Sequence, residues 1–401
     1  MSQPDALSGS SRLNTPRTLL FAMAAAFMVA NIYYSQPLLA VIGQQFGIAP
    51  SDTALLVTIT QLGYGLGVLL LVPLGDIMDR RRLASLMMAL CATALVLTAL
   101  SESFGFFAAI QLLIGMSSSA TMVLIPYVAT HSDVSVRGRR VGMVITGLLL
   151  GILLARTVSG LVADLMGWRS IYWLAAGITL LVLVVIRRVM VVTTSAGHSG
   201  YLSLLSSMIR LLRESAELRK RSAYAMFGMG SFSALWTGLT LLLTGEPYHF
   251  PPSTVGLFGL IGAAGAMSAG VAGRLSDRGY ASLLTGGLAV MLALSWLLMA
   301  GASVSLLLLV AGILVLDVAA MGLQVVHQSI IYKLNPAAQS RITSVFVTAG
   351  FIGMAAGSAL SSLGFRHWGW HGVCVVGAAL PGLLVLHWLY DTVSLKKRRH
   401  V

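Results

Sequence analysis

The sequence predicts an all-α membrane protein of twelve transmembrane helices, built as two six-helix halves related by an internal repeat. Three observations carry that expectation. First, 57% of the 401 residues are hydrophobic and only 10% are charged, whereas a soluble domain runs nearer about 45–50% apolar and 25% charged. Charge this scarce cannot clothe a water-facing surface. Second, apolar runs long enough to cross a core of about 30 Å alternate with short polar breaks. Third, a set of marks in the first half of the chain returns in the second.

Taken in order, span 1 (18–42) follows a tail, 1–17, that carries Arg12 and Arg17. It is too long for a cleaved signal peptide and runs into Pro37 without a small-residue cleavage site. Span 2 (54–75) contains Gly63, Gly65 and Gly67, which inside an apolar run read as helix packing and not as a dinucleotide loop. The break after it reads Gly75-Asp-Ile-Met-Asp79-Arg80, and Arg81 and Arg82 lead into span 3 (83–101). Span 4 (104–130) carries the stripe Gln111, Gly115, Ser118, Met122. Arg137, Arg139 and Arg140 precede span 5 (141–163), where Arg156 stands among the small residues Gly151, Ala155, Ser159 and Gly160, a tight packing face. Gly167-Trp168-Arg169 opens span 6 (168–186).

Residues 187–221 form a linker in which Leu202, Leu205, Ile209 and Leu212 predict one apolar face of a helix lying along the membrane surface; a partner-binding helix is the other reading. Span 7 (222–245) holds Trp236, Thr240 and Thr244, and span 8 (254–273) has a glycine series from Gly256 to Gly273. Spans 9 (282–301), 10 (304–331), 11 (342–364) and 12 (370–390) follow, then a basic tail, 391–401. The two halves are thus 18–186 and 222–390.

The formal net charge of +13 invites a nucleic-acid role, and its distribution rejects one. All lysines and arginines except Arg156, Arg169 and Arg366 fall in the two termini and the even-numbered breaks. By the positive-inside rule both termini are cytoplasmic, with anionic lipid headgroups as the basic residues' neighbours. Cys91 and Cys374 lie in separate apolar runs, so neither a disulfide framework nor a metal site is expected. His367 and His371 have helical spacing but no third ligand, and no catalytic cluster or cofactor motif is present. The chain is not expected to be an enzyme.

The repeat is specific. Gly75, Asp79 and Arg80 are answered by Gly273, Asp277 and Arg278, and Arg139, Gly151, Gly167 and Trp168 by Arg341, Gly353, Gly369 and Trp370, in the same order at a nearly constant offset. Six plus six helices with Gly-x-x-x-Asp-Arg after spans 2 and 8 resembles the major facilitator superfamily over residues 15–392. Asn31-Ile-Tyr-Tyr-Ser-Gln-Pro37 suggests its bacterial drug and sugar efflux-like branch. The resemblance implies that Gly75, Asp79, Arg80, Arg81 and Arg139, with Gly273, Asp277, Arg278 and Arg341, form a gating latch at the cytoplasmic side; the plainer alternative is a topogenic basic loop. The chain departs from the family at Arg81 and Arg82, where a further glycine is usual, and at Arg156, where antiporters carry a proline. Gln111 also stands where many proton-coupled members have an arginine.

Two charges lie deep in spans. Arg156 sits near the bilayer midplane, where an arginine costs about 2.5–3.5 kcal/mol on insertion scales, so it is expected to face a wet cavity or a counter-ion rather than to snorkel. Asp317 lies midway through span 10, on one face with Met321, Gln324 and Gln328, and with His327 alongside. A carboxyl in a low-dielectric cavity can load and release a proton, which proton coupling needs; a purely structural pairing with Arg156 is the alternative. The resemblance implies that spans 1, 4, 7 and 10 line the cavity, with Asn31, Tyr34, Gln36, Gln111, Ser118, Trp236, Thr240, Gln324 and His327 as candidate substrate contacts. The expectation is a monomeric inner (plasma) membrane transporter that exports a small organic molecule by alternating access coupled to protons. The alternatives are an organic-anion transporter with Arg156 as counter-charge and a non-transporting membrane receptor.

Overall fold

The computed structural model describes residues 13–192, 200–335 and 338–399. Arg12, most of the tail 1–17 and the linker stretch 193–199 lie outside the described residues, as do the side chains of Lys396 to Arg399 in the basic tail. The described chain is helical: α1 (Thr15–Ala30), α2 (Leu39–Phe46), α3 (Pro50–Thr53), α4 (Leu55–Leu70), α5 (Arg80–Ala99), α6 (Phe104–Ser118), α7 (Thr121–Thr130), α8 (Arg137–Met166), α9 (Arg169–Val189), α10 (Tyr201–Glu214), α11 (Ala216–Thr244), α12 (Pro252–Leu257), α13 (Ala263–Leu275), α14 (Ala281–Ala300), α15 (Leu306–Ile331) and α16 (Gln339–Arg399). Among the described residues nine helical stretches are long and apolar enough to cross a membrane, and Thr15–Ala30 and Pro252–Gly262 are shorter apolar helices. α16 is two rods that meet at Trp368 and Gly369, where φ of Gly369 is +57°.

Several spans that read as continuous in sequence are broken. After Ala30 the chain passes through a turn and a 3₁₀ segment, Gln36–Leu38, before α2 begins. Pro37 supplies no backbone N–H, and the resulting offset turns Tyr33 and Gln36 toward the interior, where they are 3% and 2% exposed. Between α6 and α7 the hydroxyls of Ser117 and Ser119 donate back to the carbonyls of Leu113 and Met116 at 2.6 Å, competing with the helical ladder.

The helices pack on one large apolar core, with a second, smaller cluster beside it. α11 is the innermost, with 83% of its apolar window buried against 33% for α8. Small residues set the closest approaches. Gly151 of α8 lies so near Ala26 of α1 that an added Cβ would overlap its backbone carbonyl, the close approach typical of membrane helices.

At the end opposite the basic loops the N-terminal and C-terminal helices are tied by polar contacts. There Arg366 Nη1 lies 3.3 Å from Asp52 Oδ1, Ser362 donates to the Ser51 carbonyl, and the Ser253 amide donates to Asp164 Oδ2 at 3.0 Å. At the basic-loop end α10 lies against the bundle. Its Met208 is buried with Leu218, Ala225, Ile342 and Phe346, and Leu205 and Leu212 pack beside it. Of the expected apolar face, Leu205 and Leu212 pack on the bundle with Met208, while Leu202 and Ile209 are 78% and 54% exposed.

Candidate functional site

The conspicuous chemistry lies where α8, α11, α15 and the segment from α12 to α13 converge. That segment carries Gly256, Gly259 and Gly262, three residues apart, and runs as a 3₁₀ helix over Phe258–Gly262. A helix with three residues per turn stacks such positions in one row. The row is a bare strip of backbone, and two charged residues press against it. A Cβ on Gly259 would lie 3.3 Å from Arg156 Cβ, and one on Gly262 would lie 2.9 Å from Asp317 Oδ2.

Arg156, Trp236 and Asp317 are 3%, 3% and 1% exposed. Arg156 Nε donates to Gln36 Oε1 at 2.6 Å, and Nη1 reaches the Ile152 carbonyl at 3.4 Å. The guanidinium lies 4.1 Å from the Trp236 ring centroid and 4.7 Å from that of Tyr33. A charge-assisted hydrogen bond contributes about 1.5–3 kcal/mol and a desolvated ring contact about 2. Together these match the insertion cost, so the guanidinium is tolerated without an ion pair. Arg156 stands ten residues short of the Met166 end of α8, about 15 Å at the helical rise, which keeps it deep in a bilayer core.

Not every polar atom here is engaged. Arg156 Nη2, Trp236 Nε1, both carboxylate oxygens of Asp317 and Gln324 Oε1 are buried without a hydrogen-bond partner among the described residues. Buried polar atoms are normally satisfied, so five such atoms on three neighbouring helices require an explanation.

The other expected contacts divide. Gln36 and Trp236 join this centre. Tyr34 is adjacent through its carbonyl, which accepts from Ser159 Oγ at 2.6 Å. Asn31 and Ser118 face Cys91, at 3.4 and 3.7 Å from its Sγ. Gln111 bridges Thr60 and Tyr172 at 3.2 and 3.3 Å, a tie between helices of the N-terminal group. The hydroxyl of Thr240 turns back to the Trp236 carbonyl. His327 lies ten residues along α15 from Asp317, about 15 Å. There its Nδ1 meets Arg221 Nη1 at 3.3 Å, while Arg221 Nε donates to Glu217 at 2.7 Å. Tyr33, the glycine row and Arg221 escape sequence reading: the first is hidden by the break after α1, and the second is legible only as glycines spaced by three.

At the basic-loop end, Asp79 caps α5 by accepting from the Arg81 and Arg82 amides at 3.2 and 3.3 Å. Arg80 Nε donates to the Gly75 carbonyl at 3.3 Å and its Nη2 pairs with Asp76 at 3.4 Å. Asp277 and Arg278 lie in the turn Ser276–Tyr280, just after Gly273 near the end of α13, and Asp277 pairs with Lys333 at 3.3 Å on an exposed surface. Arg341 Nη1 donates to Ser207 Oγ of α10 at 3.0 Å. Arg139 stands at one end of an apolar cavity of about 720 Å³ between α1, α8 and α9, which Tyr34 also lines. That cavity is walled by membrane-facing leucines and contains neither Arg156 nor Asp317.

The sequence profile described as the Major Facilitator Superfamily matches residues 19–355, with a second match over 222–400. The chain is 40% identical over 370 residues to "Uncharacterized transporter YgaY" of Escherichia coli O157:H7, covering 92% of this chain and 94% of that one. It is 36% identical over 383 residues to "Probable transporter SCO4007" of Streptomyces coelicolor, covering 93% and 86%. Among solved structures, that of the human organic anion transporter MFSD10 (TETRAN) superposes with a TM-score of 0.72 at 18% identity, covering 94% of this chain and 100% of the other. A bacterial homologue of the human lysosomal transporter Spinster, in an inward-facing and unoccupied conformation, gives 0.66 at 13% identity, covering 97% and 96%.

Proposed function

The chain belongs to the major facilitator superfamily, a family of multi-pass membrane transporters of small molecules and not of enzymes, and from that premise we propose that it exports a small organic molecule in exchange for protons. The carrying observation is a buried carboxylate, Asp317, near a buried guanidinium, Arg156, with only the Trp236 indole N–H next to the carboxylate and no well-formed hydrogen bond holding it among the described residues. A carboxylate left free in this way can change protonation state without breaking a packed ion pair. Proton and substrate then compete for one site, as exchange requires.

Alternating access follows from the same geometry. The polypeptide crosses the inner membrane twelve times as two halves, 18–186 and 222–390, which rock about the glycine row. Support for twelve crossings comes from adding α1 with α2 and α12 with α13 to the nine long apolar stretches of the described residues, and from counting the two rods of α16 separately. The second profile match, which begins at residue 222, supports the duplication. The basic loops put both termini in the cytoplasm, among anionic headgroups. The ties at the opposite end fit a transporter closed to the outside. The Gly75–Arg82 loop and its counterpart at Gly273–Arg278 act as the cytoplasmic latch, and the protein works as a monomer.

Counterflow in proteoliposomes against a compound panel, with and without a pH gradient, tests this reading. Asp317→Asn should abolish gradient-driven movement while preserving substrate exchange; gradient-driven transport that survives unchanged removes Asp317 as proton carrier. A second reading, organic-anion transport, has its own observation in the open Nη2 of Arg156. Anion exchange insensitive to pH would favour it.

A further inference from the structure

We propose that the Arg156–Asp317 centre takes a small zwitterion, a molecule carrying one anionic and one cationic group; this rests on the transport reading and names its substrate class. The argument is one of complementary deficits. Arg156 Nη2 is a buried donor and Gln324 Oε1 a buried acceptor without a partner among the described residues, and the Asp317 carboxylate has only the Trp236 indole N–H next to it, with no well-formed hydrogen bond. Donors and acceptors therefore occur together, at two positions of opposite charge.

Each position excludes a simpler ligand. A lone anion answers the open Nη2 of Arg156 and sets a second negative charge near Asp317, and a lone cation answers Asp317 and leaves Nη2 without an acceptor. Either outcome leaves a buried polar group without its partner. A zwitterion satisfies both positions at once: its acid group meets Arg156 Nη2, and its ammonium meets Asp317.

Local order favours this division of labour. Arg156 is held from its other side by Gln36 at 2.6 Å and flanked by Tyr33 and Trp236, which leaves Nη2 as its open edge, a geometry suited to one carboxylate oxygen. On α15, Gln324 lies two turns beyond Asp317 on the same face, so a ligand donor that reaches past the carboxylate finds a second acceptor. The rings of Tyr33, Trp236 and Phe232 make the surroundings of Arg156 apolar and aromatic.

The test uses the full chain in detergent and in proteoliposomes, with matched series built on leucine, phenylalanine and tryptophan. Each series contains the free amino acid, its amide (cation only) and its N-acetyl derivative (anion only). In at least one series the free amino acid should compete at least tenfold better than both derivatives. Arg156→Gln should erase its advantage over the amide, and Asp317→Asn its advantage over the N-acetyl form. Arg156→Lys keeps the charge and should keep the preference, which separates loss of charge from loss of fold. A singly charged member that competes as well as the zwitterion, or no competition in any series, overturns the proposal. Proton-driven export of other compounds would then leave the transport reading standing, and absence of any transport across the wider panel would remove that reading as well.

Discussion

At the scale of single residues, the neighbours of Asp317 and Arg156 make separable predictions. Gly262→Ala places a methyl 2.9 Å from Asp317 Oδ2 and 3.0 Å from Leu153 Cδ2. It should lower exchange at least tenfold while the protein still inserts, and Leu153→Ala in the same chain should restore part of it by making room; counterflow of both variants decides. Gln36→Leu removes the partner of Arg156 Nε, and the loss of a charge-assisted bond, about 1.5–3 kcal/mol, should appear as a lowered melting temperature in detergent. At the loop, Asp79→Asn is informative because asparagine caps a helix as well as aspartate does. The cap on α5 survives in that variant, so impaired transport at normal expression isolates the charge as the part the latch needs, while wild-type turnover makes the loop topogenic only.

At the scale of elements, legibility followed period and length. Long apolar runs such as Arg80–Ala99 and Leu306–Ile331 are visible because lipid demands about 20 consecutive apolar residues, and nothing in tertiary packing can hide that. Breaks within a run are a different matter. A proline such as Pro37 is as compatible with a kinked helix as with the turn and 3₁₀ step that occur, and only packing against α8 decides. That step brings Gln36 to Arg156, so the part of the site most dependent on it was partly hidden, and Tyr33 wholly so. Sequence brought the two buried charges into view through the rarity of ions in such runs. It could not separate Gln111 and Thr240 from the centre, because a polar side chain in a span looks the same whether it meets a ligand or a neighbouring helix. In α10 periodicity finds the apolar stripe, and the docking partner selects the edge of it, at Leu205, Met208 and Leu212, that packs on the bundle. Met208→Asp should undock α10 and raise amide hydrogen exchange across 201–214 with little change in α11; unchanged protection would show that Arg341 and Tyr201 suffice to hold it.

At the scale of the molecule, the two helix groups are tied at one end through Asp52 and Arg366 and through Ser51 and Ser362. Cysteines at 52 and 366 joined by a short bis-maleimide should stop turnover, because that end could no longer part. Both native cysteines are buried and add little background to the reaction. Full turnover in the crosslinked protein would mean that this end stays shut throughout the cycle.

The linker helix has a consequence of another kind. Tyr201 of α10 donates to the Leu70 carbonyl of α4 at 2.8 Å, and Ser207 accepts from Arg341 of α16 at 3.0 Å, so α10 grips a helix from each group. A polypeptide that begins just before Tyr201 would carry its own clasp for the N-terminal fragment. Severed within 193–199 and produced from two open reading frames, the pieces should find each other in the membrane and co-purify, and removing residues 200–214 from the second piece should let them drift apart.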